Sequence, residues 1–155
     1  MKKSIFAFTI ASNDSVINAL KKIDSNKVNN LFVIDSEERL LGVLPESVLR
    51  QCIINGGSIF DSISSVYLRK VVSIKNTCLI EDAIELINSH SITFLPIVDS
   101  DDHLVNIVTK QQLSYILLQD IHSDLNYDFS SIDENEFNNS IFFRPWGGLL
   151  DIYFE

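Results

Sequence analysis

SNDSVINALKKIDSNKVNNLFVIDSEERLLGVLPESVL, residues 12–49, and NTCLIEDAIELINSHSITFLPIVDSDDHLVNIVTKQQL, residues 76–113, lie on one another at a constant offset of 64 residues without a gap. Ala19 falls on Ala83, Ile23 on Ile87, Ser25 on Ser89 and Leu31 on Leu95; Asp35-Ser36 falls on Asp99-Ser100, Leu40 on Leu104 and Leu49 on Leu113. Apolar residues replace apolar ones almost everywhere between. A register held over that length is a duplication. Two copies are too few for a solenoid, whose stacked units need about three or more. The expectation is therefore two similar halves closing one core.

Within a half, Val16, Ala19, Leu20 and Ile23 recur at i, i+3, i+4 and i+7 and so share one face of a helix, and Ile80, Ala83, Ile84 and Ile87 repeat that face. Ser12 or Asn13, and Asn76 or Thr77, are candidate caps for these helices, with Asp14, Glu81 and Asp82 placed favourably against the dipole. The apolar runs 31–34 and 95–98 follow, each ending in Asp-Ser and a polar stretch before 40–44 or 104–108. Continuous apolar residues bounded by turn formers suit buried strands joined as a hairpin. A second helix is expected over 46–54 and over 110–118. Pro45 takes the first-turn position in one copy, whereas its partner Thr109 is a good cap. Asn55-Gly56-Gly57 ends the first of these helices, because glycine tolerates the left-handed conformation found there. The unit reads strand, helix, strand, strand, helix.

With 155 residues, the chain can bury a full hydrophobic core. Its net charge of −9 repels phosphodiester backbones and anionic headgroups, so neither nucleic acid nor a membrane surface is expected as a partner. Cys52 and Cys78 stand alone, which suits a reducing cytosol and a cytoplasmic location. The start, Met1-Lys2-Lys3 followed by apolar residues 5–11, has the look of a weak signal peptide. Yet Phe8-Thr9-Ile10 aligns with Val72-Ser73-Ile74, so these residues are expected to belong to the fold. No apolar run approaches the ~20 residues that cross a bilayer. His90, His103 and His122 show no HxH or HExxH spacing, so no metal site is expected, and no catalytic constellation can be argued from spacing.

The doubled unit resembles the CBS domain pair, or Bateman module. Leu31-Phe32-Val33-Ile34-Asp35 with Leu40-Leu41-Gly42-Val43-Leu44, and Phe94-Leu95-Pro96-Ile97-Val98-Asp99 with residues 104–109, stand where that family has an LPVVD-like strand, a GVVT-like strand and a helix start. The connector, residues 55–74, is similar to that of pairs attached to sugar nucleotidyltransferases. The resemblance implies an α/β fold of the α+β type, two tandem β-α-β-β-α repeats related by a pseudo-twofold, with repeat one over about residues 5–57 and repeat two over about 68–118, both within a pair domain spanning 1–118. It also implies a homodimer, and a regulatory rather than catalytic role.

The family commonly binds adenosine nucleotides in clefts between its repeats. A Thr or Ser at the helix start meets phosphate or ribose there, and an Asp three residues later holds the ribose hydroxyls. Such a site uses the N–H groups and positive potential of a helix N-terminus for an anion, and a carboxylate for two hydroxyls. Here the first half has Pro45 and Val48 at those positions, which disables that cleft for a ribose. The second half keeps Thr109 but has Gln112 for the Asp and Asn106 for the usual glycine. The resemblance therefore points to Thr109 and Gln112, with Ile74, Thr93 and Lys110 as lining residues, Lys110 supplying charge to a phosphate. AMP, ATP or a sugar nucleotide is the ligand class implied. A cap for Thr109 and solvated side chains for Lys110 and Gln112 are the structural alternatives.

Past residue 118 the composition changes. Residues 119–140 form an acidic stretch suited to a linker, and 141–155 an aromatic tail that must dock somewhere. Arg144-Pro145-Trp146-Gly147 resembles the opening strand of cupins of the mannose-6-phosphate isomerase type, although the chain has no histidine after Ile141 for a cupin metal. Three functional readings result: a non-catalytic sensor of a nucleotide, a ligand-free scaffold, and a fragment of a mannose-pathway enzyme. A sugar-nucleotide or sugar-phosphate enzyme is the partner these resemblances suggest.

Overall fold

The structure, a computed structural model, describes residues 3–119. Expectations for residues 120–155, the acidic stretch and the RPWG tail among them, lie outside the described residues. The first half comprises helix α1 (Lys3–Phe8), strand β1 (Thr9–Ala11), helix α2 (Val16–Asn26), strands β2 (Asn30–Ile34) and β3 (Leu40–Pro45) and helix α3 (Glu46–Ile54). The second comprises β4 (Ile74–Lys75), α4 (Ile80–His90), β5 (Phe94–Val98), β6 (Leu104–Thr109) and α5 (Lys110–Gln119). Each half makes a three-stranded sheet, β1-β2-β3 or β4-β5-β6, with a parallel first pair and an antiparallel second pair. This is the mixed α/β architecture the repeat implies.

The offset extends to backbone detail. The hairpin irregularity at Val33/Ile34 recurs at Ile97/Val98. Lys27 and Ser91 end α2 and α4 with φ of 54° and 52°, and Glu38 and Asp102 turn the two hairpins with φ of 65° and 67°. No glycine stands at any of these four left-handed positions, so the local geometry is imposed by the surrounding fold.

Both faces of the central strands are covered, which explains why their apolar residues run without alternation. Leu31 and Val33 pack with Val16, Ala19, Ile23, Leu44 and Leu49 in one core; Leu95 and Ile97 pack with Ile80, Ala83, Ile87, Val108 and Leu113 in its twin. Phe32 and Ile34 turn the other way, joining Val98, Leu104 and Ile5 in a third cluster that fills the seam between the halves. Across that seam the Leu40 N–H donates to Asp102 O at 3.0 Å and the Leu104 N–H donates to Glu38 O at 2.9 Å. These two bonds exchange under the 64-residue offset, so a pseudo-twofold axis passes between Arg39 and His103, which bridge there.

The halves differ at two places. Residues 3–8 are a helix with no counterpart in the second half; its Ile5 is buried in the seam, and Phe8 packs on Phe94 with ring centroids 5.0 Å apart. The outer edge of β3 receives the connector: the Val43 N–H donates to Leu68 O and the Leu68 N–H to Val43 O, both at 2.9 Å. Gly42 permits this approach, since a Cβ there would overlap the Leu68 carbonyl and come within 2.7 Å of the Tyr67 ring. At the twin position Asn106 is buried, and its own Oδ1 accepts the Ile107 N–H at 2.9 Å. A side chain thus does for β6 what a chain segment does for β3.

The helix caps fall later than the sequence suggested. Ser15 caps α2, accepting the Asn18 N–H at 3.4 Å, while Leu79 precedes α4 without a side-chain cap bond. Residues 12–14 instead form the turn after β1. The end of α3 is as expected: Gly56 has φ +91°, and the Gly56 and Gly57 N–H groups close back onto Ile53 O and Cys52 O, the paired bonds of a Schellman motif.

Candidate functional site

The β6–α5 junction is built by the hairpin register. Phe94 lies opposite Thr109, the last residue of β6, and Lys110 follows it as the first residue of α5. Thr109 is 8% exposed, Gln112 is half-buried, and Thr93 and Lys110 are exposed. Thr109 and Gln112 are in contact. The Gln112 N–H donates to Thr109 Oγ1 at 3.2 Å, and Gln112 Oε1 accepts the Thr109 N–H at 2.8 Å and the Thr109 hydroxyl at 3.1 Å. This is a capping box, Thr-x-x-Gln, in which side chain and backbone satisfy each other reciprocally.

The box limits what the pair can offer. The Gln112 carbonyl oxygen is already accepting twice, so it does not stand in for a carboxylate that takes two ribose hydroxyls. What remains are the amide NH₂ donors of Gln112 and one lone pair on Thr109 Oγ1. The N–H groups of Lys110 and Gln111, at the first two helical positions, have no intrahelical acceptor, and Lys110 adds a full positive charge beside them. Ile74 is buried with Ile80, Ala83 and Leu95 in the core of its own half, paired with Ile97 in the sheet.

The twin junction, β3 to α3, has the opposite character. Pro45 supplies no side-chain cap bond. The Glu46 N–H donates to Asn29 O at 2.9 Å, a bond that Lys110 does not make to Thr93, the twin of Asn29. The Glu46 carboxylate pairs with Arg50 at 2.6 Å and puts negative charge on the first turn. The first half thus has its first helical N–H bonded and a Glu46–Arg50 pair at the helix start, whereas the second has a capping box and the Lys110 charge there.

A second cluster gathers on the β5–β6 turn, where Asp99, Asp101 and His103 bring one ligand atom each within 4.8 Å of one another. Motif spacing did not reveal this grouping, because a tight turn rather than a helix face assembles it. Its donors are committed to the turn: Asp99 Oδ1 accepts the Asp101 and His103 N–H groups at 2.9 Å each, and Oδ2 lies 3.0 Å from His103 Nδ1. Burial pushes the Asp99 carboxyl up, but the hydrogen bonds from the His103 ring and backbone outweigh that and hold it below its ordinary range. Asp35, its twin, accepts the Glu37 and Arg39 N–H groups and is held low chiefly by the bond from Arg39.

Comparison with known proteins bears on the whole described region. A family profile described as the CBS domain matches residues 1–54 and again 63–118. L-aspartate semialdehyde sulfurtransferase of Methanosarcina acetivorans is 28% identical over 112 residues, which are 72% of this chain and 22% of that protein. The chain thus matches about a fifth of that relative's length. Among solved structures, OpuCA of Staphylococcus aureus aligns with a TM-score of 0.63 at 22% identity, covering 74% of this chain and 94% of that one. The structure of CBSX2 in complex with AMP aligns with a TM-score of 0.60 at 25% identity, covering 72% and 87%. These matches say nothing of residues 141–155. With a doubled sequence, twin three-stranded sheets about a pseudo-twofold and two profile matches in tandem, the chain belongs to the CBS domain family.

Proposed function

We propose that this CBS pair is a non-catalytic regulatory module that binds one adenosine nucleotide per chain at the start of α5, and that it works as a homodimer. The observation that carries the reading is the asymmetry of the twin helix starts: Lys110 has its N–H and its charge available, whereas Glu46 has its N–H bonded to Asn29 and a carboxylate in place of the lysine. A phosphate is accepted by the Lys110 and Gln111 N–H groups and the Lys110 ammonium. The remaining Thr109 lone pair accepts a ribose hydroxyl, Gln112 donates from its NH₂, and Thr93 lines the opposite wall. Ile74 contributes to the floor through the core it belongs to. AMP is the first ligand to try, since CBSX2 was solved with AMP; ATP and sugar nucleotides such as GDP-mannose follow. The ligand acts by binding one arrangement of the halves better than another, shifting a partner's equilibrium by no more than that differential affinity. A cytoplasmic setting and an enzyme of sugar-nucleotide or sugar-phosphate chemistry as the regulated partner complete the reading.

Titration calorimetry with AMP, ATP and GDP-mannose tests it. Saturable heat at one equivalent per chain is expected, with affinity weakened roughly ten- to a hundredfold in Lys110→Glu. No heat and no melting shift at millimolar ligand removes it. A second reading, a scaffold that binds no small molecule, is favoured by the capping box, which occupies the polar atoms of Thr109 and Gln112 with each other.

A further inference from the structure

Four of the seven large apolar side chains left exposed among the described residues, Ile53, Ile54, Ile59 and Phe60, fall within residues 53–60. Ile54 is 70% exposed and Phe60 78%. They gather where α3 ends and the connector turns back to the start of α2. The Gly57 N–H closes onto Cys52 O there, and Ile59 O and Asp61 O accept the Ile17 and Val16 N–H groups at 2.7 and 2.9 Å. The turn between is fixed by its own bonds. Asp61 Oδ2 accepts the Ser58 N–H at 2.8 Å, Ser58 Oγ accepts the Phe60 N–H at 3.2 Å, and the Asp61 N–H donates to Ser58 O at 3.1 Å. Phe60 is thus held outward by an ordered turn, and an apolar patch presented in this way marks a contact surface. The 64-residue offset sets Ser123 and Asp124 at the positions of Ile59 and Phe60, so the duplication does not account for the patch. The unpaired charge beside it is negative. Asp61 is exposed and has no ion-pair partner among the described residues, whereas Arg50, one turn back from Ile54, is already paired with Glu46.

We infer that residues 141–154 of the same chain cover this patch, with Arg144 beside Asp61 and the aromatic side chains flanking it against Ile54, Ile59 and Phe60. Composition, charge and reach select this occupant. The segment carries Phe142, Phe143, Trp146, Tyr153 and Phe154, more aromatic surface than a chain leaves in water. Arg144 is the only lysine or arginine after Lys110 and stands between Phe143 and Pro145-Trp146. One positive charge among aromatics is the complement of one carboxylate beside an exposed phenylalanine. Residues 120–140 span up to about 70 Å when extended, and a fold of this size is about 35 Å across, so the segment reaches the patch from the end of α5. The tether also presents it at an effective concentration on the order of millimolar, above that of a separate partner in dilute solution.

Trp146 is the only tryptophan, so its fluorescence in the full chain reports on this segment directly. In the wild type it is expected to emit to the blue of the urea-unfolded chain and to be shielded from acrylamide, equally at low and high protein concentration. Phe60→Asp and, independently, Ile54→Asp are expected to abolish both signatures, while Phe6→Asp, at the exposed phenylalanine of α1, leaves them in place. Arg144→Glu is expected to reduce the shielding and Arg144→Lys to keep most of it. Circular-dichroism melts check that each variant is folded. A tryptophan as accessible as in the unfolded chain, or shielding that Phe60→Asp and Ile54→Asp leave intact, overturns the inference. Unchanged shielding in Arg144→Glu overturns the seating on Asp61. Shielding that disappears on dilution assigns the patch to another copy's segment and overturns the same-chain claim.

Discussion

The starts of α3 and α5 occupy equivalent places in one duplicated fold, yet their N–H groups are met by different partners. At α3 the Asn29 carbonyl takes the Glu46 N–H, Pro45 supplies no side-chain cap bond, and the Glu46 carboxylate is paired with Arg50. At α5 a threonine and a glutamine satisfy only part of the helix end, leaving two N–H groups beside a lysine. Shared architecture therefore fixes where a site can form, while three or four side chains decide whether it does. The same holds at the sheet edges, where Gly42 admits the connector and Asn106 replaces it.

The sharpest break of that symmetry is steric. Gly42→Val drives a side chain into the Leu68 carbonyl and the Tyr67 ring, and is expected to cost about 3 kcal/mol or more by thermal or urea unfolding. Asn106→Gly, the reciprocal change, removes the side-chain acceptor of the Ile107 N–H and is expected to cost about 1 kcal/mol. Equal losses at the two positions would show that the edges are not closed by different means.

Charge at the helix starts comes next. Lys110→Glu is expected to weaken nucleotide binding by roughly ten- to a hundredfold, about 1.4–2.8 kcal/mol, and Glu46→Gln to leave it unchanged. Calorimetry on the two variants reads the contrast. For the capping box, Thr109→Ala is expected to lower stability by about 1 kcal/mol. Gln112→Ala is expected to cost less, and the double variant less than the sum of the two, since the residues act as one unit. Additivity in chemical unfolding would dissolve the box.

The hairpin turns give a smaller, pH-resolved effect. Asp35 and Asp99 both titrate below the ordinary carboxylate range in the folded chain. A depressed folded value means that each stabilises fully above its unfolded pKa of ~3.9, and that this contribution is lost as pH falls through the lower folded value. The stability gap between the wild type and Asp35→Asn is therefore expected to be flat from about pH 5 upward and to narrow below about pH 4. A gap that widens on acidification would reverse the sign and refute the turn assignment. Smallest of all, Lys27→Gly and Ser91→Gly relieve a left-handed residue at equivalent helix ends, and each is expected to stabilise by up to about 1 kcal/mol in thermal melts.

Much of this was legible in the sequence because the duplication writes every strong signal twice. Leu31 and Leu95, or Ala19 and Ala83, could be trusted as core without any knowledge of what they touch. Helix α1 was not legible. Its six residues are too few to show a period, and burial of Ile5 in the seam holds them. Nor was Leu68 on β3, a pairing between residues 25 positions apart that depends on a glycine's missing side chain. The capping box was readable as Thr-x-x-Gln. In sequence Gln112 reads equally as a replacement for a ribose-binding carboxylate, and only the two bonds at Oε1 show that its acceptor is spent. Ile74 as a lining residue meets the same difficulty, since a buried strand residue can serve a core and a cleft from one position.

The central claim is that, of two equivalent helix starts, only the second is open to an anion. Amide chemical shifts of the isotopically labelled chain during an AMP titration test it most directly. The account predicts saturable shifts at Lys110 and Gln111, with Glu46 and Ser47 unmoved. Equal shifts at both helix starts, or shifts at Glu46 alone, would contradict it.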